Sequence, residues 1–308
     1  MTLNIAWDAS TNLDTMKTLL KDVFDSADRK AMYEADMVVN DISVSDYYAR
    51  KMRMTSISQS SVVELADGQE IPLADPIYGS TKDWVQVRHG LGCKITSGMK
   101  KFNKIGLVKK NVRALKKAMR EYKDVDIATM INNATSTTAG EVGYDGLALA
   151  STAHTTLGAG GDTYSNYGDA ALGVGSLQSA INSFDTLVDD QGDEIIVRPN
   201  KLICHPSRRW TARELLGSSK KPGSADNDIN AIQDWDLSYD VYHRSNSSSF
   251  WALLAKGDEN YDLFVYTSQE PDFKMGDYPD LSRSTVITSE QYFVKGFGDP
   301  RGFFLGDS

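Results

Sequence analysis

Apolar residues recur at three- and four-residue spacing in two long stretches of the chain, the period of a helix with one buried face. Leu13, Met16, Leu19, Leu20, Val23, Phe24 and Ala27 form the first stripe, with Asp14 near its start where the helix dipole favours a negative charge. Phe102, Ile105, Val108, Val112, Leu115, Met119, Tyr122 and Met130 form the second, which predicts one long helix from Ser97 to about Asn133, bent near Gly106. Two shorter helices follow. Ser176 caps a face of Leu177, Ala180, Ile181, Phe184, Leu187 and Val188 that the turn sequence DDQGD ends, and Ser207 opens a segment closed by Gly217.

Residues 50–95 have a different character, rich in β-branched side chains and interrupted by Asp67-Gly68 and Gly79. Residues 50–82 read as an extended hairpin with a polar turn at ADGQE. The strand after it places Val85, Val87, His89, Leu91, Cys93 and Ile95 on one face. KLICHP predicts a short buried strand stopped by Pro206; LSYDVYHR, FWALLAKG and YDLFVYTSQEPDF predict three more, and STVITSEQYFVKGFGDPRGFFLG two that close the chain. Together these elements make an α+β fold. The Gly-, Ser- and Thr-rich residues 134–175 are too long for an idle connection inside a compact domain, and SSKKPGSADNDIN reads as a mobile tip.

Charge sharpens the picture at one place. The 308-residue chain carries 33 Lys and Arg against 42 Asp and Glu, net −9, which argues against a surface devoted to nucleic acid. Yet residues 94–123 hold eleven basic residues and one acid, Glu121, with Lys100, Lys101, Lys104, Lys109, Lys110, Arg113, Lys116, Lys117, Arg120 and Lys123 opposite the apolar stripe of the long helix. A positive rod on an acidic molecule suits the acidic surface of a neighbouring copy or enclosed nucleic acid. No apolar run is long enough to span a membrane, the first residues lack a secretory pattern, and Cys93 and Cys204 form no paired motif, so free thiols in a cytoplasm are expected.

The search for chemistry yields little. YDGLALASTAHTT, residues 144–156, gathers small residues around Ser151 and His154, but it lacks the G-x-S-x-G elbow that would expose a nucleophile, so His154 reads as a loop hydrogen-bonder. GVGSLQ lacks the third glycine of a dinucleotide fingerprint, and GSSKKPGS lacks the Gly-Lys-Ser/Thr junction of a phosphate loop. Asp226, Asp228 and Asn230 begin like a calcium loop, but Ala231 and Leu237 stand where the glycine and the closing glutamate are needed. His89, His154, His205 and His243 have no metal spacing. No catalytic, cofactor-binding or metal residue is therefore assigned. What remains is an extended hairpin with too little apolar alternation to cover a core of its own, which needs another surface to lie on.

The order of elements carries a resemblance. An N-terminal helix, an extended loop and the strand DWVQVRHGLGCKIT running straight into the long helix are followed by YDGLALASTAHTT, SNYGDAALGVGSLQSAINSFDTLVDDQGDEI, RPNKLICHPSRRWTARELLGSS and the closing DPRGFF. Over residues 40–304 the chain resembles the major capsid proteins of tailed bacteriophages, and is most similar to their Mu-like branch. The resemblance implies an N-terminal arm and helix at 1–45, an extended loop at 46–95, a peripheral domain with a spine helix at 96–194 and 276–308, and an axial domain at 195–275. It implies self-assembly through hexamers and pentamers into an icosahedral head around double-stranded DNA, with scaffold, portal and decoration proteins as further partners and no cofactor, enzyme activity or membrane. The head would be built in the host cytoplasm. Assembly contacts are expected at Asp67, Gly68, Trp84, Arg113, Lys117, Lys220, Lys221, Asp299 and Arg301, with the stretch 144–156 as contact-forming backbone between chains. The alternatives are the shell of an encapsulin-type nanocompartment and, from another class, a cytosolic hydrolase using Ser151 and His154.

Overall fold

Strands that read as unbroken apolar runs must be covered on both faces, and the run Trp251–Leu254 sets the centre of the molecule in this way. The computed structural model of the protein describes residues 13–27, 33–55, 57–102, 104–157, 161, 163–220, 229–277 and 284–307. In chain order it begins with helices α1 (Leu13–Ser26) and α2 (Ala35–Val38) and strands β1 (Asn40–Ser43), β2 (Tyr48–Met54), β3 (Tyr78–Val85) and β4 (Val87–Ile95). Helices α3 (Ser97–Lys101) and α4 (Ile105–Asn132) lead to the short strands β5 (His154–Thr155), β6 (Thr163–Tyr164) and β7 (Tyr167–Gly168). Then come α5 (Val174–Asp185), β8 (Lys201–Cys204), α6 (Arg209–Gly217), β9 (Ser238–Val241), β10 (Trp251–Leu254), β11 (Leu263–Gln269), β12 (Lys274–Asp277), β13 (Thr285–Phe297) and β14 (Phe303–Gly306).

Two five-stranded sheets result. One is built on β13, whose residues Thr285–Thr288 pair with both β12 and β4, and whose Tyr292 and Phe293 pair with both β11 and β4. Strands β11 and β12 therefore share one edge of β13 and β4 takes the other, with β1 added parallel to β11. The second sheet runs β7-β14-β10-β8-β9. In β10, Trp251 and Leu253 pack with Leu177, Ile181 and Phe184 of α5 and Ala212 and Leu215 of α6, while Ala252 and Leu254 turn to the opposite side. There they meet Ile127 and Ile131 of α4 and Leu263, Val265, Phe293 and Phe297 of the first sheet. The sheets cross the border expected at 275/276, since β11 belongs with β13, and β14 belongs with β10.

The amphipathic stripes pack as their spacing requires. Leu20 and Phe24 of α1 lie against Val108, Val112 and Leu115 of α4, with Ile95 and Ile287 completing the cluster. The expected bend near Gly106 is instead a full break. Thr96 caps α3 by accepting from the Met99 amide at 3.4 Å, the Lys104 amide returns to the Met99 carbonyl, and α4 starts again at Ile105. From there α4 runs 28 residues, about 42 Å at 1.5 Å per residue. The strand expected over 84–95 is likewise divided. Gln86 is buried between β3 and β4, with its amide on the Tyr47 carbonyl and its side chain on the Tyr266 carbonyl, whereas Val85, Val87 and Leu91 are exposed. A change of pairing partner at this residue, from β2 to β13, overrides simple alternation.

Two expected caps shift by a few residues. Helix α5 starts at Val174, with Ser176 accepting from the Gly173 amide at 2.9 Å from inside the first turn. At α6, His205 Nδ1 accepts from the Ser207 amide and opens a short 3-10 turn before the helix. Both cysteines are free; burial pushes the Cys204 thiol up to about 11 and raises Cys93 as well.

Gly296 of β13 lies under the indole of Trp84, and a Cβ added there would land on Trp84 Nε1. The rigid ring has no room to yield, because it is wedged edge-on against Phe264 and Tyr144. We predict that Gly296→Ala costs about 1–3 kcal/mol. Chemical denaturation would measure the loss, and amide exchange would place it first in β2 and β3.

Candidate assembly surface

The paired strands β2 and β3 form the root of a projecting arm, in register from Tyr48 opposite Val85 to Met54 opposite Tyr78. Alternation along β2 sends Lys51 and Arg53 down onto the body and leaves Arg50, Met52 and Met54 outside. Lys51 forms an ion pair with Asp262, its ammonium 4.2 Å from the centre of the Phe264 ring. Arg53 holds Asp190 through two nitrogens at 2.9 and 2.5 Å and reaches the Thr155 carbonyl at 2.7 Å. The same Asp190 accepts from Arg301 at 2.7 Å, and Arg301 also holds Asp299 at 2.7 Å and the Val188 carbonyl at 2.9 Å. Lys82 of β3 donates to the Val142 carbonyl and Ser80 to the Tyr144 carbonyl. These groups line a cleft of about 340 Å³ between arm and body.

Electrostatics in the cleft follow from burial set against pairing. Burial pushes the Asp190 carboxyl up, but hydrogen bonds from Arg53 and Arg301 outweigh it and hold the group below its ordinary range. At Asp262 burial prevails, and the carboxyl stays raised despite Lys51. Burial lowers the Lys82 ammonium, whose main support is a backbone carbonyl.

Beyond the root the arm loses cover. Thr55 and Ile77 exchange two hydrogen bonds, Gln191 donates to Thr55 Oγ1, and the Gln59 amide donates to Asp193. Farther out lies a turn with the Gln69 amide on the Ala66 carbonyl and Gly68 at φ +81°, a conformation that favours glycine. Here Val62 and Leu73 are 81% and 94% exposed, and Ile57, Val63, Leu65 and Ile71 are exposed with them. Contiguous bare apolar side chains on a thin projection mark a surface made for another molecule.

The expected contact residues fall into three groups. Asp67 and Gly68 sit at the exposed tip, Arg113 and Lys117 on the exposed face of α4, and Lys220 at an exposed bridge to Ile229. Trp84 and Arg301, 3% and 4% exposed, are buried inside the subunit, and half-buried Asp299 is held by Arg301; these three shape the root of the arm. Lys221 lies outside the described residues, as do Asp226 and Asp228. Sequence reading missed Lys51, Arg53, Asp190 and Asp262, because ion pairs between residues more than a hundred positions apart leave no local spacing to find.

The basic face of α4 is less uniform than its sequence suggests. Lys123 is buried on Asp41 and Thr267, Lys116 packs over the Phe24 ring, and Arg120 pairs with Glu270 at 2.6 Å. The stretch 144–156 is also a correction. Ala148, Leu149, Ala150 and His154 are buried within the subunit, with the Ala150 amide on the Ala134 carbonyl, so its small residues serve internal packing rather than a contact between chains. His154 Nδ1 lies 2.6 Å from Asp145 and its ring stacks on Tyr164, whereas Ser151 Oγ accepts from the Ala153 amide. Ser151 and His154 thus make separate bonds, and no nucleophile is presented. Among the described residues no three acidic, His or Cys side chains stand together as a metal site, and no helix is long and apolar enough to cross a membrane.

Comparison with known proteins agrees with this architecture. A model of the phage capsid protein family matches residues 80–305. No curated protein sequence matches the chain. Among solved structures, a phage-related protein from Bordetella bronchiseptica RB50 superposes with a TM-score of 0.54 at 12% identity, over 94% of this chain and 96% of that one. The procapsid of bacteriophage JBD30 gives 0.53 at 12% identity, over 98% and 76%. The encapsulin complex of Synechococcus elongatus PCC 7942 gives 0.51 at 9% identity, over 88% and 85%. Identities this low establish a shared fold, and the family match over most of the chain establishes more: the protein belongs to the phage capsid protein family and is a structural capsid protein.

Proposed function

We propose that this chain is the major head subunit of a tailed phage of the Mu-like branch, joining through hexamers and pentamers into an icosahedral shell around double-stranded DNA. The observation that carries the proposal is the distal arm, residues 57–77, whose apolar side chains have no cover within the subunit. A shell repeats each interface many times, so modest contacts become collectively strong and no catalytic group is needed. In this reading residues 46–95 are the extended loop, 96–194 with 276–308 the peripheral domain and 195–275 the axial domain. Asp67, Gly68, Arg113, Lys117, Lys220 and Lys221 meet neighbouring copies, while Trp84, Asp299 and Arg301 act indirectly by aiming the arm. Scaffold, portal and decoration proteins complete the head, which is built in the host cytoplasm.

Negative-stain microscopy with size-exclusion chromatography tests this. The full chain should give hollow shells or rings of capsomers, and a monomer at every concentration and salt would overturn the reading. Shells filled with a cargo protein would move it to the encapsulin type. Replacing residues 57–76 by a short Gly-Ser linker should leave the circular dichroism spectrum and melting temperature unchanged and abolish closed shells; an unaltered particle yield would contradict the role given to the arm.

The aim of the arm depends on Asp190. Its depressed carboxyl contributes stability that is fully present above the unfolded value of about 3.9 and is lost as pH falls through the folded value. Asp190→Asn leaves Arg53 and Arg301 facing each other without an anion, a loss of about 3 kcal/mol. Denaturation at neutral pH would measure it, amide exchange should rise in β2 and β3, and the variant should lack the part of the acid-induced loss that wild-type protein owes to Asp190.

A further inference from the structure

We infer that the distal arm of one subunit lies along the basic outer face of the spine helix of a second copy, paired by charge as well as by apolar contact. This rests on the shell reading and names the surface that receives the arm. Residues 55–81 contain no lysine or arginine, and their four acids, Glu64, Asp67, Glu70 and Asp75, are all exposed. The opposite chemistry occupies the break between α3 and α4 and the first turns of α4. Lys101, Lys104, Lys110 and Arg113 are exposed, Lys109 is half-exposed, and no ion pair among the described residues engages these five. Bare apolar groups accompany the charges on each side. The arm offers Val62, Leu65, Ile71 and Leu73; the spine offers Phe102, 70% exposed, and Leu107.

A polyanion alone would match the lysines and leave Phe102 and Leu107 in water, whereas the arm matches both. Dimensions agree. Each leg of the arm, from Thr55 or Ile77 to the tip at Asp67-Gly68, spans up to about 36 Å when extended, and residues 105–117 of the helix occupy about 20 Å. The subunit leaves both surfaces uncovered, so neither is satisfied by its own chain. Exposed ion pairs are individually weak, so the apolar contacts supply affinity while the charges fix register and speed encounter.

The test is a charge swap in the full chain, expressed without other phage proteins. One variant carries Glu64→Lys, Asp67→Lys, Glu70→Lys and Asp75→Lys; a second carries Lys104→Glu, Lys109→Glu, Lys110→Glu and Arg113→Glu. All eight positions face solvent at least in part, and circular dichroism would verify that both variants fold. Each alone should cut shell yield by about tenfold or more, and the two sets combined in one chain should restore it, because like charges repel and the swap re-pairs them. Wild-type assembly should also weaken as salt rises toward 1 M, where screening reaches about 3 Å. Spine-reversed protein that assembles at wild-type yield but no longer retains nucleic acid would overturn the inference in favour of DNA at this face. A combined variant that stays unassembled would overturn it too. Wild-type protein that never leaves the monomer peak would instead remove the shell reading beneath it.

Discussion

One buried carboxylate holds two parts of the chain that the fold must bring together. Asp190 accepts from Arg53, at the root of the arm, and from Arg301, in the turn between the last two strands. Two guanidinium groups this close repel, and burial removes the water that would screen them, so the arrangement stands only because Asp190 and Asp299 supply the missing negative charge. Trp84 sits nearby between Phe264 and Tyr144, and Lys51 reaches Asp262 beside it. The arm leaves the body at an angle set by this cluster. Its first residues are thus a rigid part of the subunit, and only the distal portion waits for a neighbour.

That division refines what the sequence suggested. The whole of 50–82 read as lacking support, because its alternation is weak, and the weakness is real for residues 57–77. The root escapes the expectation because ionic and aromatic contacts with residues 144, 190, 262 and 264 replace the missing apolar face. Such support is invisible to periodicity, which registers the spacing of apolar groups along one element and nothing about a partner far away in sequence. Gln86 misled for a related reason: a polar residue in an alternating run was assigned outward, yet it is buried because both its backbone and its amide find carbonyl partners where the strand changes sheets.

Elements with a single strong period were legible. The stripe of α1, the stripe of α4 and the runs of β8 and β10 appear where their apolar spacing placed them, since each buries its face against a large, continuous core. The lone histidine in 144–156 was also read correctly as a hydrogen-bonding loop residue, although the small residues around it turned out to pack inward. Ala148 and Ala150 are small because α4 and the loop after it come close, with the Ala150 amide on the Ala134 carbonyl. Small residues report a close approach of backbone, and only structure tells whether that approach is within a chain or between chains.

A bare apolar projection is a hazard in any soluble protein, because it can stick to its own kind. Here the distal arm carries acids and no bases, so two arms that meet side by side repel, while an arm that meets a basic spine is attracted. Segregation of charge between the two surfaces therefore acts against the symmetric arm-to-arm contact and in favour of the head-to-tail one. Head-to-tail contacts close into rings when the rotation between copies allows it, whereas symmetric contacts stop at pairs. The same distribution of charge that keeps the free subunit from self-association through its arms thus selects the geometry from which a closed shell can grow.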